Sequence, residues 1–293
     1  MEDRELTIDL KGKGLGVYES PSPQGRRRIC FLVHGYNVSP PEAKEAFDTL
    51  VEVMRRVSVV PSLLAMSSWR VNWRGYSHSW RDTLTRGRLS FLGYSNQISV
   101  AKRSARALAD HIAKMHGPEG TPVEIFFVAH SLGCRLVLEA LNLLGQSGPP
   151  VRLLFLMAAA VPGHMVYPRG SLRDAARLAT SSYVLFSRQD PILEGGFRLG
   201  EFLGGERGFP PMAVGFSGEP EQGLWARRIL TENDHSSYFR DANTALELTR
   251  AIGHFKQRPF TRRNLTVVRR LLNRAPPTRE LGKKYPRTKR VIG

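Results

Sequence analysis

The sequence predicts an α/β fold: a doubly wound, mostly parallel sheet flanked by helices. Three observations carry that expectation. Short apolar runs alternate with segments of helical periodicity along residues 26–255, the pattern of strands joined by crossover helices. Several runs, such as ICFLV at 29–33 and IFFVA at 125–129, have unbroken apolar centres and so fit strands covered on both faces. Finally, 293 residues with 41% hydrophobic and 24% charged side chains have ordinary globular composition and suffice for one large core.

Taken in order, residues 6–20 read as a hairpin turning at 12–16, and residues 26–35 as the first central strand. A helix follows, with Ser39 as cap, Pro41 near the first turn and Phe47, Leu50, Val51 and Met54 at helical spacing. Residues 67–75 read as the next strand and 99–115 as a helix carrying Ala101, Ala105, Leu108 and Ile112 on one stripe. The buried strand 121–131 runs straight into the helix LGCRLVLEALNLL. Strands are expected at 151–160 and 181–190 with a helix around 172–178 between them, a last strand at 212–218 and a closing helix at 236–255. Two irregular stretches, 76–97 and 192–211, are long enough to be active-site loops or lids, or simple surface insertions.

The net charge of +17 is unevenly placed. Residues 256–293 hold thirteen Lys and Arg against one acid, Glu280, so +12 belongs to the tail and +5 to the rest. The expected organisation is therefore a domain over 1–255 and a basic C-terminal helix and tail over 256–293. In 261–274, Leu265, Val268 and Leu272 share a helical face that the arginines largely avoid. That tail reads as a contact for an anionic membrane surface, as a nucleic-acid contact, or as a helix packed on the body with a solvated end. Two cysteines cannot build a disulfide framework or a four-thiolate metal site. No apolar run approaches the ~18 residues of a membrane span, and the acidic, alternating N-terminus differs from a secretory signal. The expected location is the cytoplasm. The sequence says nothing of oligomeric state.

The sharpest local signal is VAHSLGC, 128–134, where a buried strand meets a helix. A serine between small residues at such a junction sits on a strained turn that lifts its hydroxyl above the sheet edge. Ala129 and Gly133 fit a close approach of backbones there, and the N–H of Leu132, at the helix N-terminus, suits stabilisation of an oxyanion. A helix-capping serine is the other reading of Ser131. VHGYN, 33–37, ends the first central strand; a glycine after His34 allows a sharp turn that would aim the Tyr36 N–H at the serine. His34 itself reads as a packing and loop-positioning residue.

A Ser–acid–His order places the acid and the histidine on loops after later strands. The strand 151–160 offers no carboxylate, whereas SRQDPIL offers Asp190 at a strand end, with Pro191 fixing the turn. Asp174 and Asp241 lie on expected helices, and Asp234 is the runner-up. His235, between the last strand and the last helix, is the base. His111 and His116 lie on or past a helix, His130 points from the elbow into its surroundings, and His78, His164 and His254 miss the right strand ends. No His or carboxylate pair has ligand spacing, so neither a metal nor a cofactor is expected. GKGLG at 12–16 lacks the Lys-Ser/Thr of a phosphate loop. Cys134 reads as a packing residue. Trp69, Trp73, Tyr76 and Trp80 would line an acyl or aromatic pocket, or form a core edge with loop anchors, with Trp69 the more structural.

These motifs together, VHGYN, the tryptophan strand, GYSNQISVAKRSARALADHI, VAHSLGC, SRQDPIL and DHSSYF, resemble the α/β-hydrolase superfamily over about residues 26–255. More narrowly they resemble its bacterial branch of uncharacterised α/β-hydrolases with a His-Gly-Phe-Asn oxyanion segment and an Ala-His-Ser-Met-Gly elbow. The resemblance implies Ser131 as nucleophile, Asp190 as acid, His235 as base and the Tyr36 and Leu132 amides as oxyanion donors. Tyr36 stands where Phe is usual, Leu132 where Met is frequent, and Ala129 where Gly is commoner; the basic tail lies outside the family pattern. The expected activity is hydrolysis of a small-molecule carboxylic ester through an acyl-enzyme. The alternative is an idle hydrolase-fold binding module working through its tail.

Overall fold

Among the described residues, eight strands form one sheet in the order β2-β1-β4-β3-β5-β6-β7-β8. They are β1 (Glu5–Asp9), β2 (Gly16–Ser20), β3 (Arg28–Val33), β4 (Ser68–Asn72), β5 (Glu124–His130), β6 (Val151–Met157), β7 (Ala179–Phe186) and β8 (Arg227–Leu230). This computed structural model describes residues 4–9, 16–23, 25–57, 68–73, 90–198, 211–220 and 222–253. All but Gly16 of the expected turn at 12–16, most of 76–97 and of 192–211, Tyr76, Trp80, and the whole basic tail 256–293 lie outside the described residues.

Among the described strands only β2 runs antiparallel, pairing with β1 as the expected hairpin. Every other neighbouring pair is parallel. Parallel strands need crossovers, and these carry the helices α1 (Pro40–Val57), α2 (Ser90–Ala113), α3 (Leu132–Leu144), α4 (Arg173–Arg177) and α5 (Val214–Ser217); α6 (Ala242–Gly253) follows β8. α1 packs on α6, while α2 and α4 pack on α3. The result is a doubly wound, mostly parallel sheet flanked by helices.

The central strands are apolar throughout because both faces are covered: Ile29 to Val33 and Ile125 to Ala129 are at most 1% exposed. α1 starts as its sequence dictates. The Ser39 N–H and hydroxyl both donate to the Glu42 carboxylate, at 2.9 and 2.7 Å, ahead of prolines that suit a first turn. Its apolar stripe, Phe47, Leu50, Val51 and Met54, is buried, and the Phe47 ring meets that of Phe239 edge-on. Two arginines are buried among the described residues. Arg70 is fully buried and reaches Glu5 on the neighbouring strand at 3.1 Å, and Arg135 lies 3.7 Å from Glu139 one turn on. Among the described residues, no helix is long and apolar enough to cross a membrane.

Two expectations need correction. Residues 212–218 are not the last strand. Val214–Ser217 is a single helical turn, and the last strand is Arg227–Leu230, paired in parallel with β7. The apolarity of MAVGFSG comes from its work as a buried connector. Ala213 bridges to Pro162, the Gly215 N–H donates to the Ala159 carbonyl, and the Gly215 carbonyl accepts from Ser187. The true β8 lies on the sheet edge with Arg227 exposed and Arg228 half-buried, so its sequence lacks an apolar signature. The second correction concerns the stretch 76–97: α2 begins at Ser90, so its last eight residues are helical.

Candidate active site

The C-terminal ends of the parallel strands share one edge of the sheet, and loops leaving that edge carry the candidate residues. This is where doubly wound sheets place ligands. The register sets the central pair: Val33 of β3 lies opposite Ala129 of β5, so the turns after the two strands meet.

Ser131 stands between β5 and α3 with φ +54° and ψ −126°. A non-glycine residue in such a region costs on the order of 1–3 kcal/mol and persists only when its surroundings hold it. They do so through the backbone. The Ser131 N–H donates to the Met157 carbonyl at 3.0 Å, and its carbonyl accepts from Ala160 at 3.1 Å and Cys134 at 3.0 Å. The end of β6, which offers no carboxylate, thus fixes the serine's backbone. It turns there through Ala158, itself at φ +46°. The Ser131 hydroxyl makes no cap bond to α3. It donates to His235 Nε2 at 2.9 Å, which decides against the helix-capping reading.

His235 lies on the loop between β8 and α6. Its Nδ1–H donates to Asp190 Oδ2 at 2.8 Å. Because a carboxylate only accepts, this bond puts the ring proton on Nδ1 and leaves a lone pair on Nε2 facing Ser131. Asp190 is fully buried after β7. Its other oxygen accepts the N–H groups of Ile192 and Leu193, both at 3.0 Å, as a π-helical turn (Ile192–Gly196) begins. Two amides and a ring N–H therefore satisfy a carboxylate that would otherwise be costly to bury. Asp234 is occupied elsewhere: its Oδ1 accepts the N–H groups of Ser236 and Ser237 at 3.0 and 2.8 Å.

The turn after β3 approaches Ser131 closely. A Cβ on Gly35 would lie 2.7 Å from Ser131 Cβ and 3.2 Å from its Oγ. Gly35 is required by that proximity, whereas the left-handed step of the turn belongs to Asn37 at φ +56°; the sequence reading had given the glycine the turning role. Gly133 also serves a different partner from the one expected. A Cβ there would lie 2.4 Å from the His34 carbonyl oxygen and 2.7 Å from that of Val33, so α3 is jammed against the end of β3. Tyr36 follows Gly35 and is half-buried, and Leu132 is the first residue of α3 and fully buried. These are the two positions expected to supply oxyanion amides.

Trp73 takes the loop-anchor alternative, and His130 gains a role that the sequence reading did not give it. The Trp73 indole N–H donates to the His34 carbonyl at 2.9 Å, and its ring stacks on that of His34 at 5.7 Å. Trp73, 2% exposed, thus anchors the turn that carries Tyr36. Trp69 is core, as expected, with its indole N–H on the Pro21 carbonyl. His130, one residue before Ser131, is 5% exposed and reaches the His235 carbonyl with its Nε2 at 2.6 Å. Its position beside the nucleophile candidate was the one available signal. Burial, with the His235 ring next to it, lowers the His130 pKa to about 3. Burial likewise lowers that of His34 to about 4, and both rings are neutral near pH 7. Burial pushes the Cys134 thiol up, in keeping with a packing role. Among the described residues, no group of three or more His, Cys, Asp or Glu could hold a metal ion.

No protein-family model and no curated protein sequence matches the chain. Solved structures give low-identity likenesses. A lipase-esterase related protein from Clostridium acetobutylicum ATCC 824 is 11% identical with a TM-score of 0.44, over 78% of this chain and 95% of that one. A serine hydrolase involved in carbazole degradation, CarC, is 12% identical with a TM-score of 0.39, over 80% and 93%. Esterase B from Lactobacillus rhamnosis is 9% identical with a TM-score of 0.38, over 93% and 88%. The chemistry that follows is carried by this chain's own side chains.

Proposed function

We propose that the chain is a serine hydrolase that cleaves carboxylic esters through an acyl-enzyme. The observation that carries this reading is the Ser131 hydroxyl, held at a strained strand-to-helix turn and bonded to His235 Nε2 at 2.9 Å. In the first half-reaction His235 takes the Ser131 proton while Oγ forms a bond to the ester carbonyl carbon. Asp190 holds the Nδ1–H tautomer and steadies the imidazolium. Negative charge gathers on the former carbonyl oxygen, where the Tyr36 and Leu132 amides are assigned as donors. The C–O bond to the alcohol then breaks, and the proton on His235 Nε2 passes to the leaving oxygen. Water, deprotonated by His235, hydrolyses the acyl-serine in the second half-reaction and restores the starting state.

Thioesters and amides could follow the same steps, since fold does not fix substrate. The substrate class is tested with short-chain p-nitrophenyl esters. The expected result is saturable turnover with an early burst of product. Ser131→Ala is expected to lose roughly 10⁴–10⁶-fold in kcat, because groups that act as a unit fail together. Turnover by Ser131→Ala at the wild-type rate contradicts the reading.

A further inference from the structure

We infer that His130 is a positioning residue that registers the His235 loop on the nucleophile strand by donating its Nε2–H to the His235 backbone carbonyl. The inference rests on the hydrolase reading of the same site and goes beyond it by assigning a residue outside the Ser–His–Asp chain. Two consecutive residues of β5 and its turn grip one residue of a distant loop. His130 holds the His235 carbonyl at 2.6 Å, and Ser131 holds its ring at 2.9 Å. With both ends of His235 tied to neighbouring positions, the ring's approach to Oγ is fixed by a short closed circuit.

The loop needs such a tie. It has no regular backbone ladder between Leu230 and Ser237. Its other hydrogen bonds run to Phe186 of β7 and Asp190 just after it, within the loop, to Tyr238, or to the start of α6. None of these reaches β5. The His130 ring is held in turn by packing: its centroid lies 4.9 Å from that of Phe239, 5.0 Å from that of His235 and 6.4 Å from that of Tyr238.

The bond also fixes the tautomer. A carbonyl only accepts, so Nε2 carries the proton and Nδ1 bears a lone pair. Nδ1 faces the third part of the site, 3.2 Å from where a Gly35 Cβ would lie. One neutral ring thus fills the space between the Gly35 turn, the strand that carries Ser131, and the His235 loop. Loss of the ring frees the base loop and opens the gap behind the turn.

The test compares wild type, His130→Phe and His130→Gln in the full chain, with thermal melts confirming that each variant folds. Phenylalanine keeps the ring packing and loses the donor; glutamine restores a donor. Misplacing a reacting group by about 1 Å costs on the order of 10²-fold. Accordingly, His130→Phe is expected to lose roughly 10–100-fold in kcat on p-nitrophenyl esters with KM within about threefold, and His130→Gln to recover a substantial part. A second readout does not need turnover: the downfield proton resonance of the His235 Nδ1–H held by Asp190. It is expected to be sharp in wild type and His130→Gln, and broadened in His130→Phe. An unchanged resonance in His130→Phe, or glutamine no better than phenylalanine in either readout, overturns the inference. If wild type turns over no ester but the resonance follows the expected pattern, the hydrolase reading falls and the positioning role stands.

Discussion

At Ser131 the backbone is held where few residues go, and the side chain points away from the helix that it would otherwise cap. Ser131 and Asp190 stand out in the sequence because each follows a recognisable apolar strand; His235 stands out only by its place after them and before the closing helix, since the strand that precedes it, β8, has no apolar signature. The reason for Gly35 was not legible. What crowds it is Ser131 Cβ, brought there by the pairing of β3 with β5, and no local pattern encodes that contact. His130 escaped for the same reason, and so did the particular turn that Trp73 anchors, since each is defined by a main-chain carbonyl far along the chain. Gly35→Ala tests the close approach. Its Cβ would lie 2.7 Å from Ser131 Cβ and 3.2 Å from His130 Nδ1, and a strained serine beside a packed, buried ring leaves little room to yield. The expected cost is about 1–3 kcal/mol of stability and on the order of 10²-fold in ester turnover, read by urea denaturation beside steady-state kinetics. Turnover within twofold of wild type would mean that the turn can retreat without disturbing the serine.

Among the elements, the central strands and α1, α3 and α6 were readable because burial on both faces or on one stripe leaves a periodic signature. The edge of the sheet was not. β8 is anchored on one side only and carries two arginines, whereas the connector before it, α5, is apolar because it is buried among strand ends. α5 also shows how the site is braced. Its Gly215 N–H bonds the Ala159 carbonyl, and the neighbouring Ala160 N–H bonds the carbonyl of Ser131. A Cβ on Gly215 would fall 2.1 Å from the Ala159 nitrogen and 2.3 Å from the Ala158 carbonyl carbon, both main-chain atoms that no rotamer change can move. Gly215→Ala is therefore expected to destabilise the fold by about 3 kcal/mol or more, seen as a lower urea midpoint. A midpoint equal to wild type would show that α5 is not the brace described.

Across the whole molecule, strands alternating with helices made the parallel sheet foreseeable, and a parallel sheet gathers its loops on one edge whatever the sequence distance between them. That geometry also buries two histidines beside the serine, with a consequence for stability. His34 and His130 have pKa values lowered to about 4 and about 3, chiefly by burial, against about 6.5 in the unfolded chain. Between those values the unfolded state binds more protons than the folded one, so stability rises with pH and falls as pH drops below about 6.5. Each group contributes on the order of 1.4 kcal/mol per pH unit in the middle of that window. Denaturation at pH 5 and pH 7 is expected to show the lower midpoint at pH 5, and equal midpoints would mean that the two rings are not held neutral. The central claim, an activated Ser131, is tested most directly by a fluorophosphonate probe on wild type and Ser131→Ala, with the adduct located by mass spectrometry. The account predicts a single adduct on Ser131 that is absent from the variant. Well-folded wild type that stays unlabelled, or an adduct that persists in Ser131→Ala, would contradict it.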